Sequence, residues 1–239
     1  QKSHLTKASN KQVSSKQEYS RNSAKSSSLP DLRKYPSGTP RKKAFLRTVM
    51  PYITSQNAAI TAERNWLISK QYQGQWSPAE RARLKDIAKR YKVKWSGNTR
   101  KIPWNTLLER VDIIPTSMVA TMAAAESGWG TSKLARNNNN LFGMKCMKGR
   151  CTNAPGKVKG YSQFSSVKES VSAYVTNLNT HPAYSSFRKS RAQLRKADQE
   201  VTATAMIHKL KGYSTKGKSY NNYLFAMYQD NQRLIAAHM

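Results

Sequence analysis

The feature that most constrains this chain is an apolar run, Val119 to Ala125, that stops at one carboxylate and two glycines: Glu126, then Ser127-Gly128-Trp129-Gly130. Ala-rich sequence favours helix, and glycines end it. The pattern predicts a helix with Glu126 at its C-terminus, on the lip of a turn. There the negative end of the helix dipole and the apolar neighbours Trp129, Leu141 and Phe142 both disfavour an ionised carboxyl. A carboxyl held in that way suits a general acid. A glutamate near a helix end is more often a solvated surface residue. Three features argue for a site. Small residues flank Glu126 and leave room for a ligand. Trp129 follows three positions later, and indole faces are platforms for sugar rings. An Asn run and Leu141-Phe142-Gly143 then offer amide groups beside an apolar wall.

The 239 residues suffice for one good-sized domain with a tail, or for two small domains. The net charge is +30 and the pI about 10.4. This predicts affinity for polyanions, whether nucleic acid, an anionic membrane surface or an acidic cell-wall polymer. A nucleic-acid partner is not expected, because no clear recognition helix or aromatic RNA-binding strand pattern is present. The two cysteines, Cys146 and Cys151, flank a four-residue segment containing Gly149. They read as a small disulfide loop, which points to an oxidising compartment, or as two free thiols. His4, His181, His208 and His238 show no metal spacing, so neither metal nor cofactor is expected. No apolar run reaches the ~20 residues of a membrane span. No secretory apolar segment opens the chain, and Gln1 in place of an initiator Met suits a processed or trimmed sequence.

Residues 1–40 are rich in Ser, Lys, Asn and Gln. They read as a flexible basic tail with little to bury, although Leu29, Leu32 and Tyr35 are spaced to touch a domain. Residues 41–102 read as a helical extension packing on the core. A first helix covers Arg41 to Gln71, with a break or start at Pro51. Ser77-Pro78-Ala79-Glu80 is an N-terminal capping signature for a second, running to about Tyr91. Further helices are expected at 104–111, 115–126, 166–178, 184–195, 198–210 and 219–237, with a single turn at 131–136. Between them, Leu141–Lys145 and Lys159–Phe164 read as two short strands of a hairpin-like lobe around the cysteine loop. The expected fold is mainly α with this small β-hairpin lobe beside a cleft, and residues 103–239 form the main domain.

Ala124-Ala125-Glu126-Ser127-Gly128-Trp129-Gly130, then Asn139-Asn140-Leu141-Phe142-Gly143-Met144-Lys145, then Gly212-Tyr213-Ser214-Thr215 with Ser219-Tyr220, form three blocks in order. In these blocks the chain resembles the bacterial endo-β-N-acetylglucosaminidases of glycoside hydrolase family 73. Their shared pattern is E-S-x-W-G, N-L-F-G-x-K and a distal Tyr block. The resemblance covers roughly Pro103 to Ala237; the helices between Arg41 and Tyr91 resemble, less specifically, the Bax-like branch. It implies a lysozyme-like helical fold with the β-lobe over the cleft. It also implies peptidoglycan glycan strands as substrate, cut between N-acetylglucosamine and N-acetylmuramic acid. By the same resemblance Glu126 is the catalytic acid and Tyr213 a cleft residue that orients sugar or water. Trp129, Asn140, Phe142 and Tyr220 then belong to the sugar subsites. The setting implied is periplasmic or secreted, at an anionic cell-wall surface, and the expected state is a monomer.

Most glycosidases use two carboxylates. Only twelve acidic residues are present, and beyond Glu126 only Glu169, Asp198, Glu200 and Asp230 remain. Glu169 reads as a helix or salt-bridge residue, and the others carry no motif. The pattern favours one acid, with the substrate's 2-acetamido group stabilising the developing cation. The other readings are a lytic transglycosylase, against which Gly128-Trp129-Gly130 argues, and a basic binding module for wall polymer or nucleic acid.

Overall fold

The computed structural model describes residues 29–151, 153–210 and 217–239. The described chain is mainly helical. The helices are α1 (Thr39–Lys70), α2 (Pro78–Arg90), α3 (Trp104–Arg110), α4 (Thr116–Ser127), α5 (Lys133–Asn138), α6 (Val167–Thr180), α7 (Ser185–Lys196), α8 (Ala203–Met206) and α9 (Lys218–Ala236).

The centre is α4. Every residue from Met118 to Ala124 is buried, as expected of a helix that is apolar all round. It lies against α1 and α9, while α1 also meets α6 and α3 meets α7. Small side chains let these neighbours come close, so the Ala run makes α4 the hub that places Glu126.

Local signals account for many helix starts. Ser77 and Glu80 form the expected reciprocal capping box, with Pro78 in the first turn of α2. Ser132, Ser166 and Thr202 cap α5, α6 and α8 through their hydroxyls. Two expectations are corrected. Pro51 lies inside a continuous 32-residue α1 and does not break it. Arg47, whose carbonyl loses a partner there, is exposed like Pro51, so water can take the vacant bond. The helix expected at 198–210 is only α8 followed by a 3-10 turn at Ile207–Lys209. Asp198 adopts a left-handed φ of +52°, and the Thr202 cap restarts the chain.

The segment 29–40, read as the end of a tail, is folded. Leu32 is wholly buried within a 3-10 turn capped by Asp31. Arg41 donates to the Leu32 carbonyl at 3.1 Å and to that of Tyr35 at 3.0 Å. One buried leucine and one arginine clamp therefore hold a stretch whose composition alone predicts disorder. Residues 1–28 lie outside the described residues.

The entry to α4 is held by a buried charge cluster. Asp112, 1 % exposed, accepts two hydrogen bonds from Arg195, at 2.7 and 2.9 Å. Arg191, itself fully buried, donates to the Glu109, Asp112 and Ile113 carbonyls and to Asn179 Oδ1. Arg64 from α1 donates to the Val111 carbonyl at 3.0 Å, and Asn57 Nδ2 to that of Ile114 at 2.7 Å. The loop before α4 is thus tied to α1, α6 and α7. Burial opposes ionisation of Asp112, yet the Arg195 hydrogen bonds and the charges of Arg191, Arg64 and Arg195 outweigh it and hold its pKa below the ordinary value.

The expected β-hairpin is not formed. Among the described residues between 141 and 164 the β structure is a single antiparallel bridge, Lys145 to Tyr161. Side chains stitch this lobe instead of a strand ladder. Asn138 Nδ2 donates to the Val158 and Ser162 carbonyls and its Oδ1 accepts from Val158 N–H. The Ser162 hydroxyl bridges the Lys145 carbonyl and Met147 N–H. The expected disulfide is present: Cys146 and Cys151 are bonded, with Cα atoms 5.3 Å apart.

Candidate active site

The end of α4 is shaped by its own sequence. The Ser127 hydroxyl donates back to the Ala123 carbonyl at 2.6 Å and accepts from Gly130 N–H at 2.8 Å, fully buried. Gly128 takes the left-handed cap conformation, φ +55°. Gly130 has φ +81°, and a Cβ there would lie 2.4 Å from Leu32 Cδ1. The block Glu126-Ser127-Gly128-Trp129-Gly130 is therefore a folded turn that Ser127, Gly128 and Gly130 shape.

Glu126 is half-buried at the lip of this turn. The Tyr220 hydroxyl, from α9, donates to its Oε1 at 2.5 Å. On the other oxygen, a Cβ at Gly143 would stand 3.2 Å from Oε2, so the lobe backbone approaches Glu126 where glycine leaves room. Burial, then the Glu126 charge and the hydrogen bond to it, raise the Tyr220 pKa far above its ordinary value. Tyr220 thus remains a neutral donor across the working pH range. Tyr174 stands behind the pair. Complete burial, then Tyr184, Tyr220 and Glu126, raise its pKa well above ordinary.

The partner of Glu126 is a hydroxyl and not a cation. In this basic chain Asp31, Glu63, Glu80, Asp86, Asp112 and Glu169 are all in ion pairs with Lys or Arg. Among the described residues Glu126 forms no ion pair and is met by a tyrosine hydroxyl instead. Glu169 serves as the N-terminal cap partner of α6: its Oε2 accepts from Ser165 N–H at 2.8 Å, and Oε1 pairs with Arg150.

The remaining predicted site residues divide. Trp129 is half-buried, edge to face with Phe45 at 5.6 Å, with the Lys42 ammonium 5.0 Å from its ring. Asn140 is 1 % exposed. Its Nδ2 donates to the Met144 and Ser162 carbonyls, and its Oδ1 accepts from Phe142 and Met144 N–H. Both donors and both lone pairs are used, so Asn140 builds the lobe. Phe142 is buried and stacked on Tyr174 at 4.2 Å and 9°, forming the wall behind the carboxylate. Tyr220 touches the carboxylate itself. Tyr213 lies in 211–216, outside the described residues. Sequence reasoning missed Tyr174, whose helical spacing marks it only as core, as well as Tyr184 and the contact of Gly143 with Glu126. No group of three or more His, Cys, Asp or Glu gathers to hold a metal among the described residues.

The family model described as mannosyl-glycoprotein endo-beta-N-acetylglucosaminidase matches residues 103–233. The chain belongs to this glucosaminidase family. The enzyme is thus a glycoside hydrolase, and the matched span contains α4, the lobe and the Tyr220 end of α9. No solved structure matches it. Among the described residues no helix is long and apolar enough to cross a membrane.

Proposed function

We propose that the enzyme hydrolyses peptidoglycan, cutting the β-1,4 bond on the reducing side of N-acetylglucosamine, next to N-acetylmuramic acid, with Glu126 as its one catalytic carboxyl. The observation that carries this reading is the pairing of Glu126: a neutral hydroxyl on Oε1 and a glycine beside Oε2. With Oε1 engaged, the transferable proton sits on Oε2. It passes to the glycosidic oxygen as the bond from that oxygen to C1 breaks. The carbonyl oxygen of the substrate's 2-acetamido group closes on C1 and spreads the positive charge into an oxazolinium ring. Water then attacks C1 and gives its proton to the ionised Glu126, which restores the acid and reopens the ring. No second carboxylate is needed, in keeping with the engagement of Glu169 by Arg150 and Ser165.

Tyr213 orients sugar or water in this scheme. Asn221 Nδ2 donates to the Leu210 carbonyl at 2.7 Å, so the chain flanking 211–216 is fastened beside Tyr220. The helices form a lysozyme-like frame of the Bax-like branch, acting as a monomer. The disulfide and the +30 charge suit a cell-envelope setting, periplasmic or secreted, against an anionic wall. Mass spectrometry of products from purified sacculi tests the proposal. Reducing N-acetylglucosamine ends support it. 1,6-Anhydromuramic ends would make the enzyme a lytic transglycosylase, and binding without cleavage would return it to a wall-binding role.

A further inference from the structure

A second cluster of aromatic and basic side chains lies at the far end of α1. Trp66 and Trp76 meet edge to face at 6.3 Å, and Trp76 meets Trp104 at 6.3 Å with a 35° tilt. The Arg83 guanidinium lies 4.4 Å from the Trp66 ring. All three indoles stay partly open to solvent. Beside them in the chain, Tyr72 is 94 % exposed and Ile68 48 %. The fold does not require Tyr72, which buries almost nothing, and gathered apolar exposure marks a binding face more than scattered exposure does.

Charge points to the occupant. Residues 61–105 hold eleven Lys and Arg against three acids. Each of those acids is already in an ion pair, Glu63 and Asp86 with Arg90 and Glu80 with Lys70. The surplus is positive and surrounds the indoles. Indole faces take the C–H faces of pyranose rings, and guanidinium groups take carboxylates. An anionic glycan presents both. Distance selects a polymer. Phe45, which holds Trp129, precedes Trp66 by twenty-one residues on one continuous helix, about 30 Å along its axis. A short fragment at Glu126 cannot reach the cluster, whereas a long strand can.

We propose that Trp66, Tyr72, Trp76, Arg83 and Trp104 form a second glycan-binding surface, which grips one stretch of an anionic glycan polymer while another stretch occupies the Glu126 site. This rests on the peptidoglycan reading of the substrate. The test uses the full chain with Tyr72→Ala/Trp76→Ala. A second variant, Tyr72→Ala/Arg83→Gln, changes only exposed side chains and so guards against misfolding. Co-sedimentation with purified sacculi in a Glu126→Gln background reads binding without cleavage. Turnover of sacculi and of short soluble peptidoglycan fragments is compared in the active background.

Both variants are expected to bind sacculi about tenfold more weakly, the usual scale for truncating an aromatic or Arg anchor. Digestion of sacculi should fall with binding, while turnover of short fragments stays unchanged. Unchanged binding of sacculi overturns the proposal. So does an equal loss on both substrates, which would place the effect at Glu126, or a loss of single-stranded DNA binding in its place. If the parent enzyme bound sacculi through this face but left them uncut, the proposed function would fail while the surface stood.

Discussion

Substituting Gly130 by alanine tests whether the turn after Glu126 is built as described. The new Cβ would stand 2.4 Å from Leu32 Cδ1 and 3.1 Å from Phe45 Cδ2, at φ +81°. The left-handed backbone costs an L-residue about 1–2 kcal/mol. Overpacking a filled site costs roughly 1–3 kcal/mol more. The sum, about 2–5 kcal/mol, corresponds to a fall in Tm of roughly 5–20 °C for a chain of this size. Gly97 is the control: its φ is +91°, but a Cβ there meets nothing within 4 Å. Gly97→Ala therefore shows the backbone cost alone. Urea and thermal unfolding of both variants, with Leu32→Ala and the Leu32→Ala/Gly130→Ala double variant, close a cycle. Truncating Leu32 should relieve part of the Gly130→Ala penalty. If Gly130→Ala unfolds like Gly97→Ala, or the two sites prove additive, Leu32 is not packed on this turn.

Other consequences lie in the site and its supports. Tyr220→Phe removes a hydrogen bond to a carboxylate, worth about 1.5–3 kcal/mol, so kcat should drop roughly 10- to 100-fold with little change in KM. Equal kcat in steady-state assays would detach Tyr220 from the chemistry. Asp112, with its pKa lowered in the folded state, stabilises the protein fully above its unfolded value, and that contribution is lost as pH falls through the lowered value. Urea midpoints between pH 5 and 2 should decline less steeply in Asp112→Asn, which starts from a lower stability because Arg191 is left buried beside a neutral amide.

Much of the helical frame could be read locally. Ser77, Pro78 and Glu80 act within four residues, and the Ala run of α4 needs no distant partner to declare itself apolar. Pro51 misled because its effect depends on which face of α1 meets water, a tertiary fact. The lobe misled for a related reason. Its short aromatic segments look like strands, but Asn138, Asn140 and Ser162 satisfy the backbone groups that a ladder would otherwise pair. The same Asn run looked available to a ligand because sequence spacing does not reveal that Asn138 and Asn140 already spend their amide groups inside the lobe. Glu126 stood out through the glycines that follow it. Its contact with Tyr220, ninety-four positions away, was within reach of a family pattern and beyond the reach of periodicity.

The most direct test of the central claim is Glu126→Gln, which keeps the size of the side chain and an acceptor oxygen for the Tyr220 hydroxyl and removes the acidic proton and the charge. The enzyme so altered should keep its Tm within about 2 °C, since the change is near-isosteric, the side chain is half-buried and an amide oxygen can still accept from Tyr220, while release of reducing ends from sacculi falls at least 1000-fold. A folded Glu126→Gln protein that still cuts sacculi at a comparable rate would contradict it.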